Sequence, residues 1–530
     1  MSDSNPATAL ARAVLTALVE AGVTDVVIAP GSRNAPLSFA AAALADDEQI
    51  SLHTRIDERS AAFFALGLTK GGRRAAVMCT SGTAVANLHP ALLEAAHTAV
   101  PLVAVTADRP ARLRETNANQ TTDQVGIFGP LIPTHDIADF EDFEDRTVGD
   151  EIWQSAGPFH LNVQFDEPLT PGDAWDIESI TPRSKIQRPE PRLFEIINQG
   201  PKTVVIAGDD AGPAARILAE QAGWPLLAEP SSGSRSGDHV IRSYRLLLNS
   251  ELGHRIERAV VFGHVTLSRP VLRLLQRKDV DVVATRGAGV WPTPPYDVGR
   301  YVRTALQVHG DIDNEWLNAW RTADHSLSKK VDALIARTKE FTAYDVARVL
   351  AAHVADDNAL IVGPSNPVRD LDLMANAIDA HMFANRGLAG IDGVVSTALG
   401  VAAASGGQSF AFVGDVTFLH DSNGLVLGPR EERPDLVIVV VNDNGGSIFA
   451  TLEQGAEEFE DHFDLLFGTP HNVDIASLCA ATRTPHLKVS SAIELEQALA
   501  NPNGGIEVIE AVVRRDNRRE LDQAIRAASH

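Results

Sequence analysis

Two clusters of oxygen-bearing side chains and glycines are placed so that they could bind a phosphate group together with a metal ion. The first is Gly414-Asp415, and the second is NDNGG, residues 442–446. Carboxylate and amide oxygens suit a Mg²⁺ ion that keeps phosphate oxygens in its shell, and glycines let the backbone approach a diphosphate. Taken alone, each cluster is more typical of a solvated turn, so the hypothesis depends on the two clusters occurring together.

Strand-like runs precede both clusters and would place them side by side. SFAFVG ends at Gly414, and DLVIVVVN, an uninterrupted β-branched run typical of a central parallel strand, ends at Asn442. A helical stretch follows the first cluster. The pattern therefore predicts that both clusters lie at the carboxyl ends of parallel strands, where open sheets bind ligands.

A third candidate is the tripeptide Asp57-Glu58-Arg59 at the start of a predicted buried helix. Apolar residues recur after it at helical spacing, at Ala61, Phe64, Ala65 and Leu68. Acids at a helix start complement the helix dipole, and Asp57 can cap free N–H groups. On the tripeptide alone, this structural interpretation is favoured over a catalytic one.

Composition narrows the class of protein. The 530 residues include 44% hydrophobic and 22% charged residues, which is typical of a globular enzyme. The formal charge of −24 makes nucleic acid and anionic membranes poor candidate partners. Cys79 and Cys479 are far apart in apolar surroundings, no basic region precedes the first apolar run, and no run of ~18 apolar residues occurs. We therefore predict a cytoplasmic protein without a membrane span.

Alternating helical and β-rich runs predict an α/β fold with three doubly wound parallel-sheet domains. We place the domains at residues 1–180, 193–335 and 340–530, with the polar, Pro-containing segment 181–192 as a linker. The first and third domains are predicted to be units of similar size.

The two phosphate-binding clusters, at this spacing, resemble the diphosphate-and-magnesium motif of thiamine-diphosphate enzymes. Val416 stands where that motif has glycine, and Asp443 replaces its second asparagine. The resemblance implies Mg²⁺ or Mn²⁺ bound by Asp415, Asp443 and the Gly445 carbonyl, with Asn442 as a less favoured ligand. It implies cofactor contacts from Glu58, Gly390, Ile391, Gly414, Asp415, Asn444, Gly446 and Ile448. Ile391 would be the apolar wedge that holds the cofactor bent, although an ordinary core isoleucine would give the same pattern.

In that superfamily a glutamate hydrogen-bonds the aminopyrimidine ring and promotes deprotonation of the thiazolium carbon. Glu58 matches it by position, after a short strand and at the head of a helix. We expect its side chain to be buried against Phe63, Phe64 and the segment TSGTAVANL.

Longer motifs resemble one family of the superfamily, the 2-succinyl-5-enolpyruvyl-6-hydroxy-3-cyclohexene-1-carboxylate synthases of menaquinone biosynthesis. They are APGSRNAP, RIDERSAAFFALGL, TSGTAVANLHPALLEA, TADRP, ANQTTDQ, SNPVRD, NRGLAGIDGVVSTALG and NDNGGSIF. The resemblance implies that 2-oxoglutarate is decarboxylated and that the succinyl carbanion adds to isochorismate. It also implies a homodimer or a dimer of dimers, with each cofactor held between subunits.

Both substrates of that family are dianions, which a chain of charge −24 would repel without local cations. Arginines occur in four predicted strand-end loops, at Arg33, Arg109, Arg369 and Arg386, and their guanidinium groups suit carboxylates. The resemblance assigns Ser32, Arg33, Arg109, Asn119 and Gln120 to isochorismate. It assigns Ser365, Arg369 and Arg386 to 2-oxoglutarate, and gives Arg269 a weaker role as the remnant of a basic pair.

Three alternatives remain open on the sequence. An acetohydroxyacid synthase or another 2-oxoacid carboligase would share the cofactor, but its small neutral acceptors would not need so many loop arginines. A non-catalytic protein of the same fold would not need Glu58. A dinucleotide-binding protein is disfavoured because no G-x-G-x-x-G follows the first strand.

Overall fold

The computed structural model describes residues 5–183 and 194–529. The chain divides into two compact units. Within the described residues, the first unit comprises 5–183, 387–406 and 420–435, and the second comprises 194–386, 407–419 and 436–529. Most of the predicted linker, residues 184–192, lies outside the described residues, and the predicted domain boundaries stay a prediction.

The strands are β1 (Asp25–Ile28), β2 (Ser51–Thr54), β3 (Ala75–Cys79), β4 (Val103–Asp108), β5 (Thr134–Ile137), β6 (Phe159–Gln164), β7 (Phe194–Asn198), β8 (Thr203–Ala207), β9 (Leu226–Ala228), β10 (Arg258–Phe262), β11 (Asp281–Thr285), β12 (Arg300–Val302), β13 (Ala305–His309), β14 (Ala359–Val362), β15 (His381–Phe383), β16 (Ser409–Gly414), β17 (Leu436–Asn442), β18 (His486–Val489) and β19 (Ile506–Val512).

The helices are α1 (Pro6–Glu20), α2 (Ala35–Asp46), α3 (Glu58–Lys70), α4 (Thr83–Asn87), α5 (His89–Thr98), α6 (Phe140–Glu144), α7 (Val148–Gln154), α8 (Ala214–Ala222), α9 (Tyr244–Leu247), α10 (Glu251–His254), α11 (Arg269–Leu275), α12 (Asn314–Arg337), α13 (Ala343–His353), α14 (Asn366–Met374), α15 (Val394–Ser405), α16 (Asp415–His420), α17 (Glu460–Phe463), α18 (Ile475–Ala481), α19 (Ala492–Ala500) and α20 (Arg518–Ala527).

Three large sheets carry the fold. The first unit holds a six-stranded sheet of order β2-β1-β3-β4-β6-β5. The second unit holds a five-stranded sheet, β12-β11-β10-β8-β9, a pair β13-β7 and a six-stranded sheet, β15-β14-β16-β17-β19-β18. All strand pairs in these sheets are parallel. The predicted α/β class with three parallel-sheet bodies is confirmed.

Numbered within each sheet, both six-stranded sheets have the strand order 2-1-3-4-6-5. The sheets of the first and third predicted domains therefore share one topology. In this order strand 2 is added on one side of strand 1 and strand 3 on the other side, so the order of the strands reverses between local strands 1 and 3. Ligands bind at such switch points. The loops after β1 and β3, and those after β14 and β16, lie at these points.

Edge strands have the weakest sequence signal. β5, β9, β12, β15 and β18 each end a sheet. An edge strand has only one strand neighbour and is often exposed, so its residues need not form an apolar run. β18, for example, has the sequence HLKV, and only Val489 of it is buried.

Helix α3 packs closely on α15 within the first unit. A Cβ atom on Gly67 would lie 2.1 Å from the Thr397 carbonyl oxygen, so only glycine permits this approach. Residues 60–68 of α3 are buried, as predicted. The packing fixes Glu58, at the start of α3, and the loop before α15 as parts of one unit.

In the second unit, a continuous apolar core joins the five-stranded sheet and the six-stranded sheet. A fully buried ion pair, Arg235 Nη1 to Asp372 Oδ1 at 3.2 Å, connects the two regions. Among the described residues, no helix is both long enough and apolar enough to cross a membrane.

Candidate active site

The two oxygen-rich clusters meet in the second unit at the carboxyl ends of β16 and β17, which are neighbours. Asp415 begins α16 and is 2% exposed. Its Oδ2 accepts a hydrogen bond from the backbone N–H of Gly445 over 2.9 Å, and its Oδ1 accepts one from the Val416 N–H. The predicted convergence of the two loops is therefore present.

The second cluster is held by contacts with a later loop. The N–H of Gly446 donates to the carbonyl of Gly468 over 2.7 Å. Gly445 has φ +141°, and a Cβ atom there would lie 2.1 Å from the Gly468 oxygen, so the position requires glycine. Asn444 exchanges hydrogen bonds with Asn472 through its side-chain oxygen and nitrogen. The side-chain oxygen of Asn442 accepts the Asn444 N–H.

His471 is a residue of this site that sequence reasoning missed. Its Nε2 lies 3.1 Å from Asp415 Oδ2, and its Nδ1 accepts the Val473 N–H over 3.0 Å. Because Nδ1 is an acceptor, Nε2 carries the proton and donates to Asp415. The residues next to His471 in the sequence do not indicate this contact, because its partner Asp415 is 56 positions away.

The donor set fits a divalent cation with a diphosphate. Burial raises the pKa of Asp415, and burial together with Asp415 raises the pKa of Asp443 to about 7. Asp415 is buried and Asp443 is half-buried, and two carboxyls that repel each other in this way are stabilised by a cation between them. The described part of the chain contains no group of three or more His, Cys, Asp or Glu side chains that could hold a metal. A cation here would therefore need backbone, phosphate or water oxygens as well.

The three charged residues before α3 have separate contacts in the first unit. Asp57 is the N-cap and accepts the N–H groups of Arg59 and Ser60. Arg59 Nη2 donates to the His420 carbonyl over 2.7 Å. The capping interpretation is thus correct for Asp57, but it does not account for Glu58.

Glu58 is half-buried, whereas a buried side chain was expected. Within residues 5–183 and 194–529, its carboxyl makes no hydrogen bond or ion pair. Burial, and then the Glu58 charge, raise the pKa of the Cys79 thiol. This effect of the charge indicates that Glu58 lies near Cys79, the last residue of β3. A partly accessible carboxyl without a protein partner is available to bind a ligand.

Two of the predicted arginines come together in the first unit. Arg33 follows β1 and donates from Nη1 to the Phe165 carbonyl over 2.9 Å. Burial, and then repulsion from Arg109, lowers the pKa of Arg33. The Nε atom of Arg33 is buried without a hydrogen-bond partner in the described structure. A pair of repelling cations with an unpaired donor suits an anionic ligand.

The loop that carries Asn119 and Gln120 packs beside these arginines. Arg109 donates to the Asn119 carbonyl from Nε and Nη2, at 3.3 and 2.9 Å. Gln120 donates to the Ser81 carbonyl over 2.9 Å and accepts the Ser81 hydroxyl on its own carbonyl. Ser32, Asn119 and Gln120 are exposed.

A second group of cations lies in the second unit. Arg369 donates from Nη1 to the Ser365 carbonyl over 2.6 Å. Burial, then repulsion from Arg386 and Arg245, lowers the pKa of Arg369 to about 10. Arg386 is 4% exposed. The structure therefore brings together the three residues predicted for one substrate, Ser365, Arg369 and Arg386, and adds Arg245.

Several predicted positions have strained backbone. Gln120, Ser365 and Asn444 have φ values of +56°, +69° and +61°, in the left-handed region that non-glycine residues rarely adopt. Such strain persists where the surrounding structure enforces it, and it is common at binding sites.

The remaining predicted residues are placed as follows. Ile391 is half-buried, so it is not the core isoleucine of the alternative interpretation. Gly390 precedes it, and Ile448 is half-buried in the loop after β17. Arg269 begins α11, is exposed, and pairs with the exposed Glu453 at 2.8 Å. The structure does not connect Arg269 with the other predicted arginines.

Glu94 of α5 is a second residue that the sequence analysis missed. It is 3% exposed, and its two oxygens accept the N–H groups of Gly387 and Leu388, both at 2.8 Å. It thereby holds the start of the loop that leads to Ile391. A single acid within the apolar helical run ALLEAA was a signal for such a contact.

Comparison with known proteins first defines the class. Residues 8–127 match the N-terminal TPP binding domain of thiamine pyrophosphate enzymes, and residues 373–528 match the C-terminal TPP binding domain. These ranges contain the Glu58 region and the two oxygen-rich clusters.

Full-length relatives narrow the class to one family. A 2-succinyl-5-enolpyruvyl-6-hydroxy-3-cyclohexene-1-carboxylate synthase of Nocardioides sp. is 58% identical over 98% of both chains. Proteins with the same name from Kineococcus radiotolerans and Thermobifida fusca are 43% and 40% identical over 99% of this chain and 99% and 100% of their own. The chain belongs to the 2-succinyl-5-enolpyruvyl-6-hydroxy-3-cyclohexene-1-carboxylate synthase family.

Proposed function

We propose that the protein decarboxylates 2-oxoglutarate and adds the succinyl unit to isochorismate, releasing CO₂ in menaquinone biosynthesis. The product is 2-succinyl-5-enolpyruvyl-6-hydroxy-3-cyclohexene-1-carboxylate. The observation that carries this proposal is the 58% identity to a synthase of that name over 98% of both chains. Two separate groups of arginines, one in each unit, support a reaction with two dianionic substrates.

Thiamine diphosphate with Mg²⁺ or Mn²⁺ is the proposed cofactor, and when bound it supplies the carbon nucleophile and the electron sink for decarboxylation. Asp415, Asp443 and the Gly445 carbonyl are the proposed metal ligands. The side-chain oxygen of Asn442 accepts the Asn444 N–H and its side-chain nitrogen donates to Glu510, and Asn442 stays the less favoured ligand on the family pattern. The proposed contacts to the rest of the cofactor come from Gly390, Ile391, Gly414, Asn444, Gly446 and Ile448.

Glu58 is the proposed catalytic acid–base residue. Its carboxyl would share a proton with a ring nitrogen of the aminopyrimidine, and its lack of a protein partner supports this role. Asp57 and Arg59 hold the start of α3, so the position of Glu58 does not depend on contacts of its own.

The substrate side chains act by binding and orienting two anions. Arg33 and Arg109, with Ser32, Asn119 and Gln120, would bind isochorismate, whereas Ser365, Arg369 and Arg386 would bind 2-oxoglutarate. Arginine donates paired hydrogen bonds that match a carboxylate. The role of Arg269 rests on the family resemblance alone.

The proposed assembly is a cytoplasmic homodimer or dimer of dimers, in which Glu58 and Asp415 of one active site come from different subunits. The cytoplasmic placement is supported by Cys79 and Cys479, which are both buried and free.

The test is a reaction with defined components. CO₂ release from 2-oxoglutarate should require both thiamine diphosphate and Mg²⁺, and a joined product should form only when isochorismate is present. Release from pyruvate at a higher kcat/KM than from 2-oxoglutarate would contradict the proposal and favour an acetohydroxyacid synthase. Cofactor binding without CO₂ release from any 2-oxoacid would indicate a non-catalytic protein.

A further inference from the structure

A buried glutamate outside the predicted site is held against the loop after β10. Glu229 follows β9 and is 2% exposed. Its Oε1 accepts the N–H groups of Thr266 and Leu267 at 3.0 and 2.9 Å. Its Oε2 accepts the Thr266 hydroxyl at 3.0 Å. The carboxylate therefore fixes both the backbone and the side chain of Thr266.

Thr266 in turn contacts one of the proposed substrate arginines. Its hydroxyl oxygen lies 2.9 Å from Arg386 Nε and 2.8 Å from Arg386 Nη2, and its carbonyl accepts Nη2 at 3.2 Å. A guanidinium group can only donate hydrogen bonds, and an ionised carboxylate can only accept them. The hydroxyl oxygen therefore accepts from Arg386, and the hydroxyl donates to Glu229 when that carboxyl is ionised.

The charges around Arg386 explain why such a contact is needed. Burial, then Arg386 and Arg245, lower the pKa of Arg369, whereas Asp370 and Asp372 oppose this shift, so three cations and two acids are gathered here. Like charges in a buried region repel each other and favour side-chain positions that point apart. Burial raises the pKa of Glu229 to about 7, and the Leu267 N–H and the Arg386 charge oppose that rise, so the ionised carboxylate of Glu229 lies close enough to Arg386 to interact with it.

We infer that Glu229 is a positioning residue for the 2-oxoacid substrate, because through Thr266 it holds the Arg386 guanidinium in the orientation that binds a carboxylate. The inference rests on the proposed role of Arg386. Arg386 contacts Thr266 through its Nε and Nη2 atoms, and its Nη1 atom takes no part in these contacts. Glu229 has its own oxygens occupied by Thr266 and Leu267, so it acts through Arg386 rather than on the substrate.

A matched pair of variants at Thr266 tests the chain of hydrogen bonds. Thr266→Val keeps the shape and removes the hydroxyl, whereas Thr266→Ser keeps the hydroxyl. We expect Thr266→Val and Glu229→Gln to raise the KM for 2-oxoglutarate about tenfold, as for loss of a hydrogen bond to a charged group, with kcat changed less than about threefold. Thr266→Ser should stay within about twofold of the parent. Glutarate, a dicarboxylate of the same length without the ketone, should show the same change in its inhibition constant.

A double-mutant cycle identifies the residue through which Glu229 acts. In an Arg386→Ala background, Glu229→Gln should add less than about twofold to the KM, because the partner is already absent. Additive effects would overturn the inference. The control is Glu507→Gln, a buried glutamate of the same unit that hydrogen-bonds Asn503. Its KM should equal that of the parent.

Failure of the inference can be separated from failure of the proposed function. Arg386→Ala is compared through two constants, the KM for 2-oxoglutarate and the inhibition constant of glutarate. If Arg386→Ala raises both of these constants but Thr266→Val and Glu229→Gln do not, only the inference is wrong. If Arg386→Ala changes neither constant, the proposed role of Arg386 is wrong and the inference falls with it. Should Glu229→Gln not fold, the comparison of Thr266→Val with Thr266→Ser decides, since equal KM values for these two variants would overturn the inference.

Discussion

The backbone N–H of Gly445 donates a hydrogen bond to Oδ2 of Asp415 over 2.9 Å. The contact joins the ends of two neighbouring parallel strands, β16 and β17. A carboxylate that accepts backbone N–H groups is held in one orientation, so Asp415 is arranged for a ligand before the ligand arrives.

Asp415→Ala removes a charged ligand of the proposed metal. Loss of an outer-shell partner of a metal site costs about 10- to 100-fold in affinity, so we expect loss of this ligand to weaken thiamine diphosphate binding by about 100-fold or more. Extra Mg²⁺ should restore part of the affinity by mass action. Calorimetric titration at low and high Mg²⁺ measures this effect. Asp461→Ala, at an exposed position of the same unit, is the control. Unchanged affinity of Asp415→Ala would contradict the assignment.

Glu58→Gln keeps the size of the side chain but cannot share a proton in the same way. We expect kcat to fall by about 10²- to 10⁴-fold, with Tm unchanged because the Glu58 side chain has no hydrogen bond or ion pair within the described residues. Steady-state CO₂ release and a thermal melt provide the two readouts. Glu178→Gln, at an exposed glutamate of the same unit, should behave like the parent. Turnover within about threefold of the parent would refute the catalytic role.

Arg33→Ala should impair the second half-reaction selectively. Loss of a charged donor to a carboxylate should raise the KM for isochorismate by about 10- to 100-fold, while decarboxylation of 2-oxoglutarate continues. Single-turnover CO₂ release and product formation, measured separately, distinguish the two half-reactions. Arg112→Ala is the matched control, because Arg112 is exposed and pairs with Asp166. An equal loss of both half-reactions would indicate that Arg33 serves the structure.

The ion-pair cluster around Glu431 predicts a pH dependence of stability. Glu431 accepts hydrogen bonds from the Thr54 N–H and from Arg55 Nη1, at 2.6 and 2.8 Å. Burial alone would raise the pKa of Glu431, but His53, Arg55 and the Thr54 N–H together lower it to about 2. A group whose pKa is lowered by folding stabilises the fold above its unfolded value, about 4.3, and loses that effect as the pH falls through the folded value.

Glu431→Gln should therefore lower the stability by about 2 kcal/mol at pH 7. The difference in Tm between parent and variant should shrink as the pH falls below about 4. Glu432→Gln, at the exposed neighbouring position, should show no such difference at any pH. A Tm difference that is constant from pH 7 to pH 3 would show that Glu431 contributes through packing instead of charge.

Mixing two inactive variants tests the proposed assembly. If Glu58 and Asp415 of one site come from different subunits, a heterodimer of Glu58→Gln and Asp415→Ala chains contains one intact site and one doubly altered site. Up to about a quarter of the parent activity should return when half of the dimers are mixed. Native mass spectrometry verifies the exchange. No recovery after verified exchange would show that each chain builds its own site.

Much of the fold and part of the site could be predicted from the sequence, because the relevant signals are local. The strand at 436–442 is a continuous β-branched run, and Asp57 caps the helix that it directly precedes. Edge strands such as β18 give no comparable signal, because partial exposure removes the apolar pattern. Polar loops after predicted parallel strands could be assigned to one edge of a sheet from the sequence alone, because parallel strands all end at the same edge.

The contacts that hold the site were decided only by the tertiary structure. His471 reaches Asp415 from 56 positions away, and Glu94 reaches Gly387 from 293 positions away. Arg386 and Glu229 are connected only because Thr266 lies between them. A buried polar group is stabilised by whichever partner the packing of distant segments brings within hydrogen-bond distance, and no local pattern encodes that choice. The residue types that carry the chemistry are therefore set by local sequence, whereas their orientation is set by the packing of segments far apart in the chain.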